Sequence, residues 1–574
     1  VYKRQGLPVR VLEVLGPAGD ATADFRALAW KHRLPLTFTR RARLEAEALP
    51  AEWSRASLER RTDLRHLAFV TIDPATARDH DDAVFAEARA AEPSLRVESG
   101  AESGGRSASP KGLRRAGGGF SQRLWVAIAD VGHFVEPGGW IDAEARRRGN
   151  SFYFPDRAIP MLPERLSSDL CSLRPNVDRL AMVAELRLDA RGTVVDALFH
   201  EAVIRSRARL SYQEAAAFLD SKAGAPGAAN PAAEPEWAES LRRLDSIAQS
   251  LGQARAEAGA LMLELPEIEV VVDDAGRAVD ARVRGRNRAH VLIEEAMLAA
   301  NRAVARALDA AGRPTVHRVH APPDANRLDQ LRQRFERHGV DLPEEIERPG
   351  VLAEALAAVR GDPAEERLHE AVLRAMSQAR YEAEARGHYA LRFEHYLHFT
   401  SPIRRYADLE VHRALRRLIR GEPEVVASGS RESDVRERPE ESVVRLAAWL
   451  SGRERVAVDA ERDAEALAAC AMMSGREGDR FEAKVTAATS FGLFVRLVSP
   501  AVNGLVPMRS LEGRWEVDEL EESIVAERSG ARLSVGDPLQ VRLLEIDPDR
   551  ARLAFRIDPG KGATGRRAGR SRRN

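Results

Sequence analysis

The chain has 574 residues, 44% hydrophobic and 31% charged, a composition typical of a folded protein with about three or four domains and not of a disordered one. Lysine and arginine number 88, as do aspartate and glutamate, so a net charge of zero excludes a polycationic nucleic-acid coat, although a local basic surface can still bind nucleic acid. The two cysteines exclude a disulfide framework and a cysteine-only zinc site, and no run approaches the roughly 18 apolar residues of a membrane span. We therefore expect a cytoplasmic protein with no membrane partner.

The first 50 residues are too few for a domain, and they begin without methionine, which suggests a truncated start. Residues 9–16 form a short apolar run, and residues 24–32 have a helical pattern. We interpret residues 1–50 as the end of a domain whose beginning is missing.

Strand patterns follow. Residues 66–72 form an apolar strand that enters an acidic loop and returns at 83–85, and residues 124–129 form a second strong strand. Residues 93–123 are rich in Gly, Ser and Arg and predict a surface insertion. Two further loops are predicted, at 222–237 and 424–441.

The second half changes character twice. Helical periodicity dominates from about residue 286 to 470, and short strands with turn residues between 478 and 558 predict a small β-barrel. Residues 561–574 contain basic residues and no acid, which is typical of a disordered basic tail.

Four aspartates, Asp73, Asp79, Asp81 and Asp82, fall within ten residues, just after a strand that we expect to be buried. Their like charges repel, so the cluster costs stability unless a cation or basic groups neutralise it. Oxygen ligands without cysteine favour a hard cation, Mg²⁺ or Mn²⁺. The cluster therefore predicts a metal site.

Other interpretations of this loop are possible. A solvated acidic turn stays open as an alternative. An EF-hand starting at Asp79 fails because Ala83 and Val84 stand where an oxygen ligand and glycine are needed. A phosphatase-type Asp-x-Asp fails because no apolar strand directly precedes Asp79, and we take His80 to be a bystander.

A second motif surrounds Arg404 and Arg405. Ser401 or Thr400 is a good helix N-cap and Pro402 fits the first helical position, which predicts a helix starting there. Two arginines in a first turn are unfavourable, because the positive end of the helix dipole prefers anions there. Their presence makes sense if an anion binds at the same helix end. Free N–H groups and two guanidinium forks would together bind phosphate.

The alternative for this motif is an i,i+4 ion pair between Arg404 and Asp408, worth about 0.3–0.5 kcal/mol if exposed. The two motifs nevertheless complement each other, because carboxylates hold metal and arginines hold phosphate. That combination indicates metal-assisted phosphodiester hydrolysis.

At this point the ordered motifs resemble those of the ribonuclease II and ribonuclease R (RNB) exoribonucleases. The likeness includes the four-aspartate spacing, and it covers about residues 60–470 through the segments 128–135, 159–164, 388–391, 399–406 and 458–463. Residues 478–558 resemble the S1 RNA-binding domain, an OB barrel, and residues 1–50 resemble the end of a cold-shock domain. The basic tail makes the arrangement more similar to ribonuclease R.

The resemblance implies a multidomain α+β fold. Residues 1–50 would be the cold-shock (OB) remnant, 51–470 an RNB catalytic domain with a mixed sheet and surrounding helices, 478–558 the S1 barrel and 559–574 a disordered basic tail. It implies a monomeric, processive, Mg²⁺-dependent (or Mn²⁺-dependent) 3′-to-5′ hydrolytic exoribonuclease. Such an enzyme would take the single-stranded 3′ end of any RNA, release nucleoside 5′-monophosphates and act in RNA turnover, with structured RNA as a further substrate.

The resemblance also implies roles for site residues. Asp73, Asp79 and Asp82 would ligate Mg²⁺ directly, and Asp81 would serve the second metal or the attacking water. Arg404 would contact the scissile phosphate and stabilise the transition state.

The resemblance implies further contacts to RNA. Arg405 would be a secondary phosphate contact, Tyr153 would stack on the 3′-terminal base, and Glu461 would lie at the RNA-facing edge. In the barrel, Phe491 and Phe494 are the better candidates for stacking, whereas some barrel aromatics must be core. One departure is that the family's second clamp aromatic is missing near 314–320, where His317 is either a substitute ring or an ordinary histidine.

Two other functions compete with the exoribonuclease. One is a catalytically silent RNA-binding protein on the same scaffold, which the presence of all four aspartates and Arg404 argues against. The other is a structural protein with a metal-stabilised loop, which leaves the arginine pair and the barrel unexplained.

Overall fold

The computed structural model describes residues 11, 13–16, 20–51, 53, 55–89, 120–221, 234–262, 267–348, 350–362, 364–423, 439–518 and 522–558. The predicted insertion up to residue 119, most of the two later loops and the basic tail lie outside these ranges. No helix within them is long and apolar enough to cross a membrane.

Twelve α-helices are present in the described ranges. They are α1 Ala21–Lys31, α2 Arg40–Ala48, α3 Arg55–Glu59, α4 Trp140–Arg148, α5 Tyr212–Asp220, α6 Ala238–Glu257, α7 Arg288–Ala310, α8 Ala325–Arg337, α9 Val351–Ala358, α10 Glu365–Ala375, α11 Tyr406–Arg420 and α12 Pro439–Met473.

The strands of the first three-quarters of the chain are β1 Thr62–Asp63, β2 Val70–Asp73, β3 Asp82–Ala88, β4 Gln122–Ala129, β5 Phe152–Tyr153, β6 Ala158–Ile159, β7 Asp178–Leu188, β8 Val194–Arg205, β9 Ala208–Ser211, β10 Ile268–Val272, β11 Ala278–Val283, β12 His317–Val319 and β13 Arg380–Glu382. The C-terminal strands are β14 Arg480–Thr489, β15 Gly492–Leu497, β16 Asn503–Pro507, β17 Trp515–Asp518, β18 Ser523–Ala526, β19 Arg532–Ser534, β20 Pro538–Asp547 and β21 Arg552–Ile557.

A seven-stranded mixed sheet organises the larger part of the molecule. Its strand order is β1-β8-β7-β4-β3-β2-β9, with β1–β8 and β2–β9 parallel and the other pairs antiparallel. Successive side chains point to opposite faces, and both faces of the sheet are buried. Trp125 and Ala127 of β4 belong to one core with α11 and α12, whereas Val126 and Ile128 belong to the other with α6 and α7.

The second half is largely helical, as predicted. Helices α7 to α12 lie between residues 288 and 473, and the antiparallel strands β12 and β13 lie in two of the connections between them. Helices α8, α9 and α10 enclose a small core of their own around Leu331, Phe335 and Leu352.

Residues 478–558 form the predicted barrel. Strands β14-β15-β16-β21-β20 close on themselves, and β17-β18-β19 form a small sheet beside them. Met473 at the end of α12 packs into the barrel core with Phe481 and Phe555, which joins the barrel to the long helix.

Two helices lie in the described part of the N-terminal segment. The predicted helix at 24–32 is α1, and α2 follows, while residues 13–16 of the apolar run have no regular structure. Helix α2 packs on one of the two sheet cores through Ala46. The cold-shock interpretation of residues 1–50 stays a prediction.

Candidate active site

The acidic loop connects two antiparallel strands of the central sheet. Strand β2 ends at Asp73 and β3 begins at Asp82, so residues 74–81 must turn at one end of the sheet. Apolar residues of both strands are buried on either side of this turn. All four aspartates therefore lie at the same end of the sheet.

Asp81 is the carboxylate whose contacts define the site. It is buried, and its Oδ1 accepts a hydrogen bond from the backbone N–H of Ile403 at 2.9 Å, while Arg404 Nε lies 3.7 Å from Oδ2. Burial raises the pKa of Asp81 to about 8, although the charge of Arg404 and the Ile403 N–H act in the opposite direction. The fold thus joins the two predicted motifs across more than 300 residues of sequence.

The neighbouring carboxylates have perturbed acidity for the same reason. Burial raises the pKa of Asp82 well above its ordinary value, and the charges of Asp73 and Asp81 raise it further. Burial likewise raises the pKa of Asp79, against the lowering effect of Arg404. Such a group must either hold protons or face a cation.

His80 is part of the site, contrary to the expectation of a bystander. It is buried, its Nδ1 lies 2.8 Å from Asp73 Oδ2, and its backbone N–H donates to Ser172 Oγ at 3.1 Å. The sequence could not reveal this, because the pairing depends on how the loop turns back on β2.

The donor chemistry of this cluster fits a hard divalent cation, since all four candidate ligands are carboxylates under mutual repulsion. Within the described ranges, however, no group of three or more His, Cys, Asp or Glu side chains is already arranged to hold a metal ion. Asp73 faces His80 and Asp81 faces Ile403, so part of the donor set is committed to protein contacts.

Residues 401–405 form a turn that we call the catalytic turn, and the predicted helix start at Pro402 is wrong. Helix α11 begins at Tyr406, after an extended Arg405. The reason is tertiary: Ser151 N–H donates to Arg404 O at 2.9 Å, and Tyr406 N–H donates to Gly149 O at 2.9 Å, which holds this segment in β-like pairing.

The backbone N–H groups of the catalytic turn therefore do not form a helix-end phosphate site. Ile403 N–H is directed at Asp81, and Ser401 N–H donates to Asp408 Oδ1 at 2.8 Å. Ile403, Ala407, Val411 and Leu415 lie along one side of this segment, and all four are buried.

The two arginines differ sharply. Arg405 donates from Nε and Nη2 to the two oxygens of the buried Asp408, at 2.8 and 2.7 Å. The ion pair is therefore Arg405–Asp408, and not the Arg404–Asp408 pair considered as the alternative. The side chain of Arg404 is 47% exposed and donates to Ser401 Oγ at 3.2 Å. The guanidinium of Arg404 is thus open to solvent, whereas that of Arg405 supports the turn. The predicted phosphate contacts of both arginines stay predictions.

Tyr153, on β5, lies beside the acidic cluster. The residue is 40% exposed, whereas burial of its hydroxyl end raises the pKa to about 12, with Arg404 lowering it and Asp79 and Asp81 raising it. An open ring next to the catalytic turn is what base stacking requires.

Three predicted RNA-contacting residues lie elsewhere. Glu461 is on α12, where burial and the charge of Glu267 raise its pKa. In the barrel, Phe491 is 72% exposed and Phe494 40%, whereas Phe481 is buried in the core. These exposures fit the choice of Phe491 and Phe494 as stacking candidates.

Two aromatic positions differ from what the sequence suggested. His317 is buried, with Nε2 3.3 Å from Asp309 Oδ1, so it has no open face to stack on a base. Tyr212, which follows β9, was missed: its ring stacks on His290 with centroids 3.9 Å apart, and after burial the charges of Asp82 and Asp73 do most to raise its pKa. Only the parallel pairing of β9 with β2 brings Tyr212 here.

Comparison with known proteins decides the family. A sequence profile of the RNB domain matches residues 61–421, well over half of the chain, and a profile of the S1 RNA binding domain matches residues 475–558. The chain belongs to the RNB family.

Named relatives point in the same direction. The chain is 36% identical over 554 residues to ribonuclease R of Aquifex aeolicus, covering 96% of this chain and 72% of that protein, and 34% identical to ribonuclease R of Escherichia coli, covering 96% and 64%. Ribonuclease R of Mycoplasma genitalium, solved in complex with ribose-methylated single-stranded RNA, superposes with a TM-score of 0.79 at 25% identity, covering 94% of this chain and 78% of that one.

These likenesses confirm the predicted resemblance to ribonuclease R and the predicted combination of RNB and S1 domains. They also confirm the prediction of a 3′-to-5′ exoribonuclease that acts on RNA. The chain spans about two-thirds to three-quarters of the length of these relatives.

Proposed function

We propose that this chain degrades RNA processively from a single-stranded 3′ end, hydrolysing each phosphodiester to release a nucleoside 5′-monophosphate. The observation that carries the proposal is the junction of Asp81 with the catalytic turn, where buried carboxylates meet an exposed arginine. Carboxylates suit a cation and Arg404 suits a phosphate, so one site can bind both partners of the reaction.

We propose Mg²⁺ as the cofactor, with Mn²⁺ as a substitute. Asp73, Asp79 and Asp82 would hold the ion, and Asp81 would serve a second ion or the attacking water. The support is chemical: burial and mutual repulsion raise the pKa of Asp79, Asp81 and Asp82, and a bound divalent cation would relieve that cost. When bound, the metal supplies a water of lowered pKa and neutralises charge on the reacting phosphate.

The chain's own residues position the substrate. Arg404, half exposed beside Asp81, would pair with the scissile phosphate and with the charge that builds on it in the transition state. Arg405 and Asp408 hold the turn that presents Arg404. Tyr153 would stack on the 3′-terminal base, at about 1–3 kcal/mol for any base, which fits sequence independence.

The S1 barrel would hold RNA upstream of the site. Phe491 and Phe494 offer exposed rings on the barrel surface. Glu461 is an exposed residue of α12. Contacts at several places along one RNA molecule favour processivity, because the RNA stays bound after each cleavage.

We also propose that the protein is a cytoplasmic monomer. Both cysteines, Cys171 and Cys470, are buried free thiols, which suits a reducing compartment. A role in RNA turnover, including structured RNA, follows from the proposed activity and is a proposal of the same kind.

The test uses a 5′-labelled single-stranded RNA incubated with Mg²⁺ or with EDTA and resolved over time on a denaturing gel. We expect full-length RNA to be converted directly into a very short labelled product in the Mg²⁺ reaction and to stay intact in EDTA. A ladder of intermediates would contradict processivity. RNA that stays intact in both reactions but still binds the protein would support the catalytically silent binder instead.

A further inference from the structure

One face of α4 carries an unusual combination of exposed side chains. Trp140, Arg146 and Arg147 are exposed, while Ile141 and Arg148 on the opposite side are buried. Positions three to four and seven apart share a helix face, so the indole and the guanidinium of Arg147 lie on one side, with Arg146 next to them. Trp140 is 49% exposed, although an indole of this size is normally buried.

A second half-exposed indole adjoins this face from α12. Trp449 is 47% exposed, and its Nε1 donates to the backbone oxygen of Arg146 at 2.9 Å. Arg453, on the next turn of α12, lies 6.0 Å from the Trp449 ring and donates from Nε to Arg148 O at 3.1 Å. The hydrogen bond through Nε1 holds the indole in place while leaving about half of it open.

Arginines outnumber carboxylates on this surface, where Glu45 accepts a hydrogen bond from Trp140 N–H at 2.7 Å. Arg41 of α2 lies 4.3 Å from the Trp140 ring centroid. Arg147 pairs with Glu144 at 2.7 Å, but for Arg41 and Arg146 the described part of the chain offers no carboxylate within ion-pair distance. Burial lowers the pKa of Arg453, and the charge of Arg147 lowers it further, as expected where cations crowd together.

We propose that these residues, Arg41, Trp140, Arg146, Arg147 and Trp449, form a second binding surface for single-stranded RNA, which we call the α4 surface. Fixed, half-open indoles are platforms on which bases stack, and guanidinium groups beside them pair with the phosphates between those bases. Charge complementarity favours a polyanion as the partner, because Arg41 and Arg146 have no ion pair in the described part of the chain, although Glu45 and Glu144 neutralise part of the surface. The proposal rests on the proposed RNA substrate and names a further site for it.

The α4 surface is linked to the active site through the backbone. Helix α4 ends next to Gly149, whose oxygen accepts from Tyr406 N–H, and Ser151 then pairs with Arg404. A helix of nine residues is about 13 Å long. The proposal therefore places the α4 surface where the part of a long RNA that extends beyond the active site would contact it.

The test compares RNA lengths in EDTA, using the full chain and fluorescein-labelled oligoadenylates of about five and about twenty nucleotides. In the W140A/W449A variant we expect the Kd for the long RNA to rise at least about fivefold, and the Kd for the short RNA to change less than about twofold. The matched control is Trp30→Ala, which removes an indole that is 59% exposed on α1, and it should change neither Kd.

A second variant measures the charge contribution and does not depend on the indoles. R41S/R146S should lower the slope of log Kd against log salt concentration for the long RNA by about 1.4, or about 0.7 for each phosphate that no longer pairs with an arginine. An unchanged slope together with an unchanged Kd in W140A/W449A would overturn the proposal. So would equal weakening for both RNA lengths, or competition by polyglutamate but not by RNA, which would point to an acidic protein partner.

Hydrolysis of the short RNA with Mg²⁺ separates this proposal from the proposed function. The parent chain and both surface variants should degrade it at the same rate. If the parent itself does not, the proposed activity fails, while the dependence of Kd on RNA length still tests the α4 surface.

Discussion

Asp408→Asn should disable the active site although Asp408 does not face the substrate. Its carboxylate is fully buried and accepts from Arg405 Nε and Nη2 and from Ser401 N–H, at 2.8, 2.7 and 2.8 Å. Asparagine keeps the shape but removes the charge, and it turns one acceptor into a donor facing Arg405. Burial lowers the pKa of Arg405, while Asp408, Tyr381 and Asp81 together raise it above its ordinary value. Because an arginine side chain stays protonated in proteins, the guanidinium keeps its charge in the variant and loses its partner.

The expected size of the effect follows from these contacts. Removing one partner of a buried ion pair costs about 3–5 kcal/mol, a large part of the roughly 5–15 kcal/mol by which a typical protein is stable. The catalytic turn carries Arg404, and a shift of about 1 Å there is expected to lower kcat about 100-fold. We therefore expect a lower unfolding temperature and a much lower rate, with the RNA Kd less affected.

Thermal unfolding and single-turnover hydrolysis of 5′-labelled RNA measure the two effects separately. Glu201→Gln is the matched control, since Glu201 accepts a similar fork from Arg420 at 2.7 and 2.8 Å at the far end of α11. It should lower the unfolding temperature and leave the rate intact. An Asp408→Asn variant with full kcat would refute the idea that Asp408 positions Arg404.

Further predictions concern the carboxylates and the barrel. Asp81→Asn should lower kcat at least about 100-fold while the Kd for RNA, measured in EDTA, changes less than about twofold. Burial raises the pKa of Asp81 to about 8 and also raises the pKa values of Asp79 and Asp82. Without divalent cation, the contribution of these carboxyl groups to folding stability is therefore complete below the ordinary aspartate pKa and is lost as the pH rises through about 8. Mg²⁺ should consequently raise the unfolding temperature more at about pH 9 than at about pH 6, and an equal increase at both would contradict the assignment. Phe491→Ala should raise the Kd for long RNA about fivefold without changing stability, whereas Phe481→Ala should cost about 3–5 kcal/mol in unfolding by denaturant.

Regular patterns in the sequence predicted the regular parts of the fold. Apolar runs at 66–72 and 124–129 correspond to β2 and β4 within a few residues, and the short runs between 478 and 558 became a closed barrel. These elements form from local periodicity and burial, which a sequence displays directly. The complementary chemistry of the two motifs, together with the resemblance to the RNB exoribonucleases, likewise predicted that the aspartates and Arg404 belong to one site.

Tertiary contacts produced the differences. Thr400, Ser401 and Pro402 have every local feature of a helix start, yet the pairing of Arg404 O with Ser151 N–H delays α11 to Tyr406. Asp408 pairs with Arg405, and not with Arg404 as the i,i+4 spacing of a helix would suggest, because residues 401–405 are not helical. Local propensity is a weak guide wherever a distant segment satisfies the backbone.

Asp81 links the fold to the chemistry of the site. Its Oδ1 accepts the Ile403 N–H, which ties the acidic loop to the catalytic turn, while Oδ2 faces Arg404. Asparagine can still accept from Ile403 through its own Oδ1, whereas alanine would leave that buried N–H unpaired, at a cost of about 1–3 kcal/mol. Loss of turnover in Asp81→Asn therefore reports on the charge of the carboxylate, and any additional loss of stability in Asp81→Ala measures how far the same residue holds the two halves of the site together.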